Sequence, residues 1–295
     1  MKPAPFRYVS PRSVSEAVEL LHEHSEAAKV LAGGQSLVPM MSMRLAQPEV
    51  IIDINRIDQL ASLQEKPDGS WRVGALVRHA TLERIKPKGP IASLLKRAAS
   101  EIGHFPIRLR GSIGGSLVHA DPAAEWPTVA MALEGTLVLE SAGGVRRVAM
   151  SEFVDGPYST SIREDELLTG IELPPPSPGL SAGFAELSRR PGDFATALSA
   201  VWLTAEDGIV SAARVVVGGM PGGPIRCLQA EEAMTGRAAD AIKPGAVGEA
   251  ARASCHAYDD FHAPAAYRLA MSSVVVEDAV TAALSTVRHG NGAAK

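Results

Sequence analysis

Lys29-Val30-Leu31-Ala32-Gly33-Gly34-Gln35-Ser36-Leu37-Val38-Pro39 is the stretch on which the fold turns. Lys29 to Ala32 reads as a short buried strand that runs directly into two glycines. Leu37 to Leu45 reads as a short helix with Pro39 in its first turn. Glycine lacks a Cβ and accepts positive φ, so the backbone can come close to a ligand. Successive N–H groups then form an anion-binding nest, the helix start adds its dipole, and Ser36 offers a hydroxyl. Gly111-Ser112-Ile113-Gly114-Gly115-Ser116 repeats this chemistry, with Arg108 and Arg110 just before it. Either loop by itself reads equally as a tight turn. Neither is a Walker motif, because no Gly-Lys-Ser/Thr follows, and the GxGxxG of a dinucleotide-binding fold is missing.

Outward from these loops, Ser13-Val14-Ser15-Glu16 predicts a capped helix with Val14, Ala17, Val18 and Leu21 on one face. Strands are expected at 50–54, 71–76 and 166–173, and a hairpin at 135–150 around Ala142-Gly143-Gly144. Helices are expected at 90–99 and 122–133, with Pro127 a candidate interruption of the second. Pro174-Pro175-Pro176-Ser177-Pro178-Gly179 fits neither a helix nor a central strand and predicts a domain boundary. Beyond it, 183–190, 197–204 and 209–217 read as antiparallel strands, with Asp207-Gly208 as a hairpin turn, and the remainder reads as helices.

Composition narrows the function. The 295 residues suit two domains. A net charge of -4 gives no general attraction to nucleic acid or acidic membranes, and 4% aromatic residues leave little to stack bases on. Apolar runs such as Val215-Val216-Val217 are too short to span a bilayer. The first residues lack a secretory pattern, so a cytoplasmic location is the default expectation. The two cysteines, Cys227 and Cys255, cannot supply the four ligands of an iron–sulfur or zinc centre and read as small buried apolar residues. His79, His104 and His119 show no metal spacing and read as structural hydrogen-bonding groups. Glu231-Glu232 and Asp259-Asp260 read as solvated faces or helix starts.

At this point a family resemblance enters. Ala32 to Pro39, continued through Arg44-Leu45-Ala46-Gln47-Pro48 to Ile52-Asp53-Ile54, resembles the first FAD signature of the medium subunit of molybdenum hydroxylases. This is the family of the carbon monoxide dehydrogenase medium subunit and the xanthine dehydrogenase flavin domain. Arg110 to Leu117, followed by His119-Ala120-Asp121-Pro122-Ala123-Ala124-Glu125, resembles the second signature. Gly192-Asp193-Phe194-Ala195 and Tyr267-Arg268 are further matches. The family pattern usually carries Thr at Ser112, Asn at Leu109 and a polar residue at Pro106.

The resemblance implies an α+β chain. A two-subdomain FAD-binding domain like that of vanillyl-alcohol oxidase (PCMH type) would cover 1–176, with subdomains of about 1–58 and 59–176. A small antiparallel sheet with helices on one face would cover 180–290. Ala32, Gly33, Gly34, Gln35, Ser36 and Leu37 would contact the FAD pyrophosphate. Gly111, Ser112, Ile113, Gly114 and Gly115 would contact the phosphates and ribityl chain. Glu125 would bind ribityl or ribose hydroxyls, or stand on a helix surface. Asp121 would cap the helix starting at Pro122 or touch the flavin, and Phe194 would cover the flavin ring or fill the core. No catalytic acid–base pair, nucleophile or metal site is read on this chain. It would be an FAD electron-transfer subunit. A large subunit with the molybdenum cofactor and a small subunit with two [2Fe-2S] clusters would complete a dimer of heterotrimers. Two other readings stay open: a self-contained FAD oxidoreductase of the same fold, and a non-redox nucleotide-binding scaffold.

Overall fold

The computed structural model describes residues 2–290. The chain alternates between two compact units. Residues up to Thr81, Phe105–Ala120 and Gly135–Pro174 build the first; Leu82–His104, Asp121–Glu134 and the chain from Pro175 onward build the second.

In the first unit, the Ser13 side chain caps the helix Val14–His24 by accepting from the Glu16 amide at 3.1 Å, and Glu16 reaches back to the Arg12 amide at 2.8 Å. The first bond satisfies an N–H that a helix start leaves open, and the second ties the residue before the cap onto the first turn. Val14, Ala17, Val18 and Leu21 are buried on one face, as their spacing predicts, and pack on Ala28, Val50, Ile52 and Ile54. Ala28, Val50 and Ile52 belong to a parallel sheet of β1 (Arg7–Val9), β2 (Ala28–Leu31) and β3 (Val50–Asp53), in the order β1-β3-β2, and Ile54 follows β3 directly. A second sheet contains β4 (Leu63–Glu65), β5 (Trp71–Gly74), β6 (Thr136–Ser141) and β7 (Gly144–Ala149). After a small hairpin of β8 (Val154–Gly156) and β9 (Ser159–Thr160), β10 (Leu167–Leu173) completes it in the order β4-β5-β10-β6-β7. The helix Val14–His24 also contacts β6 and β10 and so serves both sheets.

The second unit is an antiparallel sheet of β11 (Leu180–Ser188), β12 (Ala195–Glu206), β13 (Ile209–Gly218) and β14 (Ile225–Arg226), paired in chain order. Asp207 and Gly208 have φ of 49° and 79°, the two positive values a tight hairpin turn requires. Side chains alternate between faces along a strand. Ala197, Val201, Leu203, Val215 and Val217 face a core shared with Cys227, Val247, Cys255, Val276 and Ala279, beneath the helices Leu228–Glu232, Pro244–Arg252 and Ala265–Gly290. The opposite face is not bare. Trp202 donates its indole N–H to the Ala132 carbonyl at 2.5 Å, and a Cβ on Gly218 would lie 2.1 Å from Thr128 Oγ1. The helices Pro90–Glu101 and Glu125–Ala132 cover this face. Helices on one face therefore describes the C-terminal helices alone.

Several local expectations change. The helix expected from Pro122 starts at Glu125, and Pro127 sits in its first turn, where no N–H is needed. Asp121 accepts from the Ala123 amide at 2.9 Å and so caps a turn ahead of that helix. The helix from Leu37 stops at Ser42. Glu231 is not solvated: buried, it accepts from the Val215 amide at 3.1 Å and pairs with Arg226 at 2.8 Å. The stretch Ala265–Val287 is long and apolar enough to cross a membrane, which the short apolar runs did not suggest. In this unit it is the core helix. Val276, Ala279, Val280 and Ala283 are fully buried, and a Cβ on Gly183 would lie 2.0 Å from the Ala279 carbonyl oxygen.

Candidate functional site

Both glycine loops lie in the first unit, and they touch. A Cβ on Gly33 would lie 2.5 Å from the Arg110 carbonyl oxygen and 2.8 Å from Gly111 Cα. Only glycine permits that approach. Gly34 has φ of 73°, and the Gln35 side chain folds back onto the Gly33 carbonyl at 3.1 Å. Among the described residues, the amides of Gly33, Gly34, Gln35 and Ser36 find no acceptor within the chain. Adjacent open amides beside a glycine without room for a side chain form a donor set for a diphosphate.

The second loop is built differently. Its amides are engaged: Gly111 donates to Ile107 at 2.7 Å, Ile113 to Val77 at 3.0 Å, Gly114 to Ala75 at 2.9 Å and Gly115 to Ser112 Oγ at 3.3 Å. A Cβ on Gly111 would lie 2.5 Å from His79 Nε2, and one on Gly114 2.5 Å from the Ala75 Cβ. These glycines are needed because the loop lies flat on the segment 75–79. The expected second nest is thus a brace whose added polar side chains are the hydroxyls of Ser112 and Ser116.

Two side chains that the sequence reading passed over connect the loops. Asn55 donates through Nδ2 to the Ala32 carbonyl at 2.8 Å and to Asp53 Oδ1 at 2.5 Å. Arg78 donates to the Arg110 carbonyl and to Asn55 Oδ1. Tyr8 donates its hydroxyl to Asp53 at 2.5 Å. Burial alone would raise Asp53, but the hydrogen bonds from Tyr8 and Asn55 outweigh it and hold the carboxyl below its ordinary value. Burial, and then the neighbouring charge of Arg110, lower Arg78, while Asp53 opposes them. His79 is buried, and burial followed by Arg78 and Arg108 pulls it down to about 4. It is a neutral ring packed on Gly111 at neutral pH. No linear spacing marks Asn55 or Arg78; the only hint is that Asn55 follows Asp53 by two residues, the reach of an Asx turn.

Asp121, Glu125 and Phe194 belong to the second unit. Phe194 is 63% exposed, which argues against core filling. Just before it, Gly192 has φ of 80°, and a Cβ there would lie 2.6 Å from His104 Nδ1. Glu125 is buried, so the surface-carboxylate reading fails. Burial pushes Glu125 up to about 8, helped by the charges of Asp121 and Glu101. On β11, Glu186 is pushed up to about 9 by burial and by Glu125 and Glu101, and its Oε2 is buried without a hydrogen-bond partner among the described residues. Unfolded, both carboxyls titrate near 4.5. The folded chain therefore binds more protons between those limits, and stability falls as pH rises through the window. Glu186→Gln is expected to flatten the dependence of Tm on pH between 5 and 9 and to raise Tm at pH 9 by roughly 5 °C, since 1 kcal/mol moves Tm about 2–4 °C at this size. Parallel melting curves for parent and variant would contradict this account of the cluster.

A family model described as the FAD binding domain in molybdopterin dehydrogenase matches residues 4–176, and one described as the CO dehydrogenase flavoprotein C-terminal domain matches 182–283. The chain belongs to the FAD-binding medium-subunit family of the molybdenum hydroxylases. Within this family it is 38% identical to the nicotine 6-hydroxylase medium subunit of Paenarthrobacter nicotinovorans, over 91% of this chain and 93% of that one. It is 36% identical to the carbon monoxide dehydrogenase medium chain of Hydrogenophaga pseudoflava, over 96% and 98%. A solved structure of carbon monoxide dehydrogenase from the same organism, lacking the Mo-pyranopterin moiety, superposes with a TM-score of 0.89, 37% identity, and coverage of 97% of this chain and 99% of that one. The two-part α+β flavoprotein fold and the FAD-binding character of this oxidoreductase subunit follow from these matches.

Proposed function

We propose that this chain is the FAD-carrying electron-transfer subunit of a heterotrimeric molybdenum hydroxylase. The observation that carries the reading is the run of open amides from Gly33 to Ser36, beside a glycine contact with no room for a Cβ, within a domain of the FAD-binding family. In this reading Ala32 to Ser36 hold the diphosphate through neutral N–H groups, and Leu37 starts the helix behind them. Ser112 adds its hydroxyl, while Gly111, Ile113, Gly114 and Gly115 keep the brace in place. Within the second unit, Glu125 is protonated near neutral pH and so can donate a hydrogen bond, and Asp121 fixes the turn before it. Bound FAD supplies the exchange between one-electron carriers and a two-electron acceptor.

With two cysteines in its sequence, the chain relies on a small partner subunit for the two [2Fe-2S] clusters and on a large one for the molybdenum cofactor. A dimer of such heterotrimers in the cytoplasm is the assembly we propose. Relatives of similar identity carry names as different as nicotine 6-hydroxylase and carbon monoxide dehydrogenase. Such spread supports placing substrate choice on the large partner rather than here.

The chain purified alone and stripped of flavin is expected to take up one FAD per chain and turn yellow. Copurification from its source should bring down two further chains. A folded, colourless chain that ignores FAD in a fluorescence titration would sink the reading.

A further inference from the structure

We propose that Arg78 is a positioning residue for the FAD diphosphate, acting through Asn55 to fix the spacing of the two glycine loops; this rests on the FAD reading above. The tie starts at the Ala32 carbonyl, which accepts from Asn55 Nδ2 at 2.8 Å, and ends at the Arg110 carbonyl, which accepts from Arg78. Asn55 Oδ1 accepting from Arg78 closes the middle. Ala32 and Arg110 are the residues immediately before Gly33 and Gly111, whose backbones touch. The tie therefore runs beside the contact on which the diphosphate cradle depends.

The orientation of Asn55 is over-determined. Its Nδ2 faces two acceptors, Asp53 and the Ala32 carbonyl, and its Oδ1 faces a donor, so the flipped amide would lose all three bonds. Asp53 is itself held by the Tyr8 hydroxyl and by the Asn55 amide at 2.9 Å. A guanidinium suits the centre of this chain because its planar fork serves two acceptors at fixed spacing, which an ammonium does not. Each terminal nitrogen of Arg78 spends one N–H on a protein acceptor, which fixes the guanidinium between the two loops.

The test uses the full-length chain without flavin and compares Arg78→Met, Arg78→Lys, Asn55→Ala and the double variant Arg78→Met with Asn55→Ala. Three probes are titrated: FAD, ADP and riboflavin. Arg78→Met is expected to weaken FAD and ADP alike by roughly 10–100-fold, the scale of one charge-assisted hydrogen bond, with riboflavin unchanged. Arg78→Lys should fall between parent and Arg78→Met. The double variant should bind FAD within about twofold of the weaker single variant, because both changes cut one tie. Parental FAD affinity in Arg78→Met, equal weakening toward all three probes, or single effects that multiply in the double variant would each overturn the proposal. Should Arg78→Met fail to fold, Arg78→Lys and Asn55→Ala carry the comparison. A parent chain that takes up no FAD overturns the FAD reading itself, a result distinct from any of these.

Discussion

Gly33→Ala is expected to lose FAD affinity by at least about 100-fold while the chain stays folded. The added Cβ would lie 2.5 Å from the Arg110 carbonyl oxygen and 2.8 Å from Gly111 Cα, and both obstacles are backbone. Neither yields cheaply. The Arg110 carbonyl is held by Arg78, and the Gly111 amide is held by Ile107 at 2.7 Å. The first loop must therefore back away, and the open amides of Gly33 to Ser36 lose their common aim. Gly34→Ala is a milder comparison. Its φ of 73° carries strain on the order of 1 kcal/mol for alanine, but the new Cβ meets only the ends of Leu31 and Val38, at 3.2 Å each. Gly143→Ala, in the β6–β7 turn, meets a single side-chain atom at 3.5 Å and should bind FAD like the parent. Fluorescence titration of flavin against the three variants checks the order. Equal affinity in Gly33→Ala and Gly143→Ala would mean that loop contact does not set the site.

The second large effect is on stability. Arg268 is 4% exposed and donates to the Thr196 and Gly219 carbonyls and to Asp260, each at 2.7 Å. Asp260 in turn accepts the amides of His262 and Ala263 at 2.8 and 2.9 Å. One guanidinium thus joins the long C-terminal helix to the ends of β12 and β13 and to the 260–263 turn. Arg268→Met keeps the aliphatic length but leaves a carboxylate and two carbonyls without their donor. Arg268 is buried while Asp260 is exposed, so solvent screens the ion pair and the loss rests mainly on the two buried carbonyl bonds to the guanidinium, about 3 kcal/mol together. A fall in Tm on the order of 10 °C should follow. Arg268→Lys should recover less than half of it, since one ammonium does not match the fork. Urea unfolding of the three proteins measures this directly. A loss below about 1 kcal/mol for Arg268→Met would show that the network is surface-like in energy.

What the sequence made legible follows from how local each signal is. The Ser13 cap, the Asp207-Gly208 turn and the alternation in β12 and β13 are decided within a few residues, and they form where expected. The strand Arg7–Val9 was not legible, because three half-exposed residues carry no period and are strand only by pairing with β3. Glu231 misled for the opposite reason. Its neighbours in sequence suggest a solvated face, and Arg226 and the Val215 amide, which explain its burial, are fixed only by the sheet. In the site, the glycines were visible and their division of labour was not. Whether an amide is open or engaged depends on what lies across from it. For Gly114 that is Ala75, and for Gly33 no acceptor among the described residues.

The alternation of the chain between its two units has a consequence for synthesis on the ribosome. The helix Pro90–Glu101 buries Ile91, Leu94, Leu95, Ala98 and Ala99, and its contacts are with β11 and the helix Glu125–Ala132. Strand β11 ends at Ser188, so its share of that shelter leaves the exit tunnel only after the helix, a wait on the order of ten seconds at about 5–20 residues per second. Meanwhile an apolar stripe stands open on a nascent chain whose first sheet can already close. Cutting the chain at the proline run would remove the β11 share of that shelter for good and leave only the helix Glu125–Ala132 against the stripe.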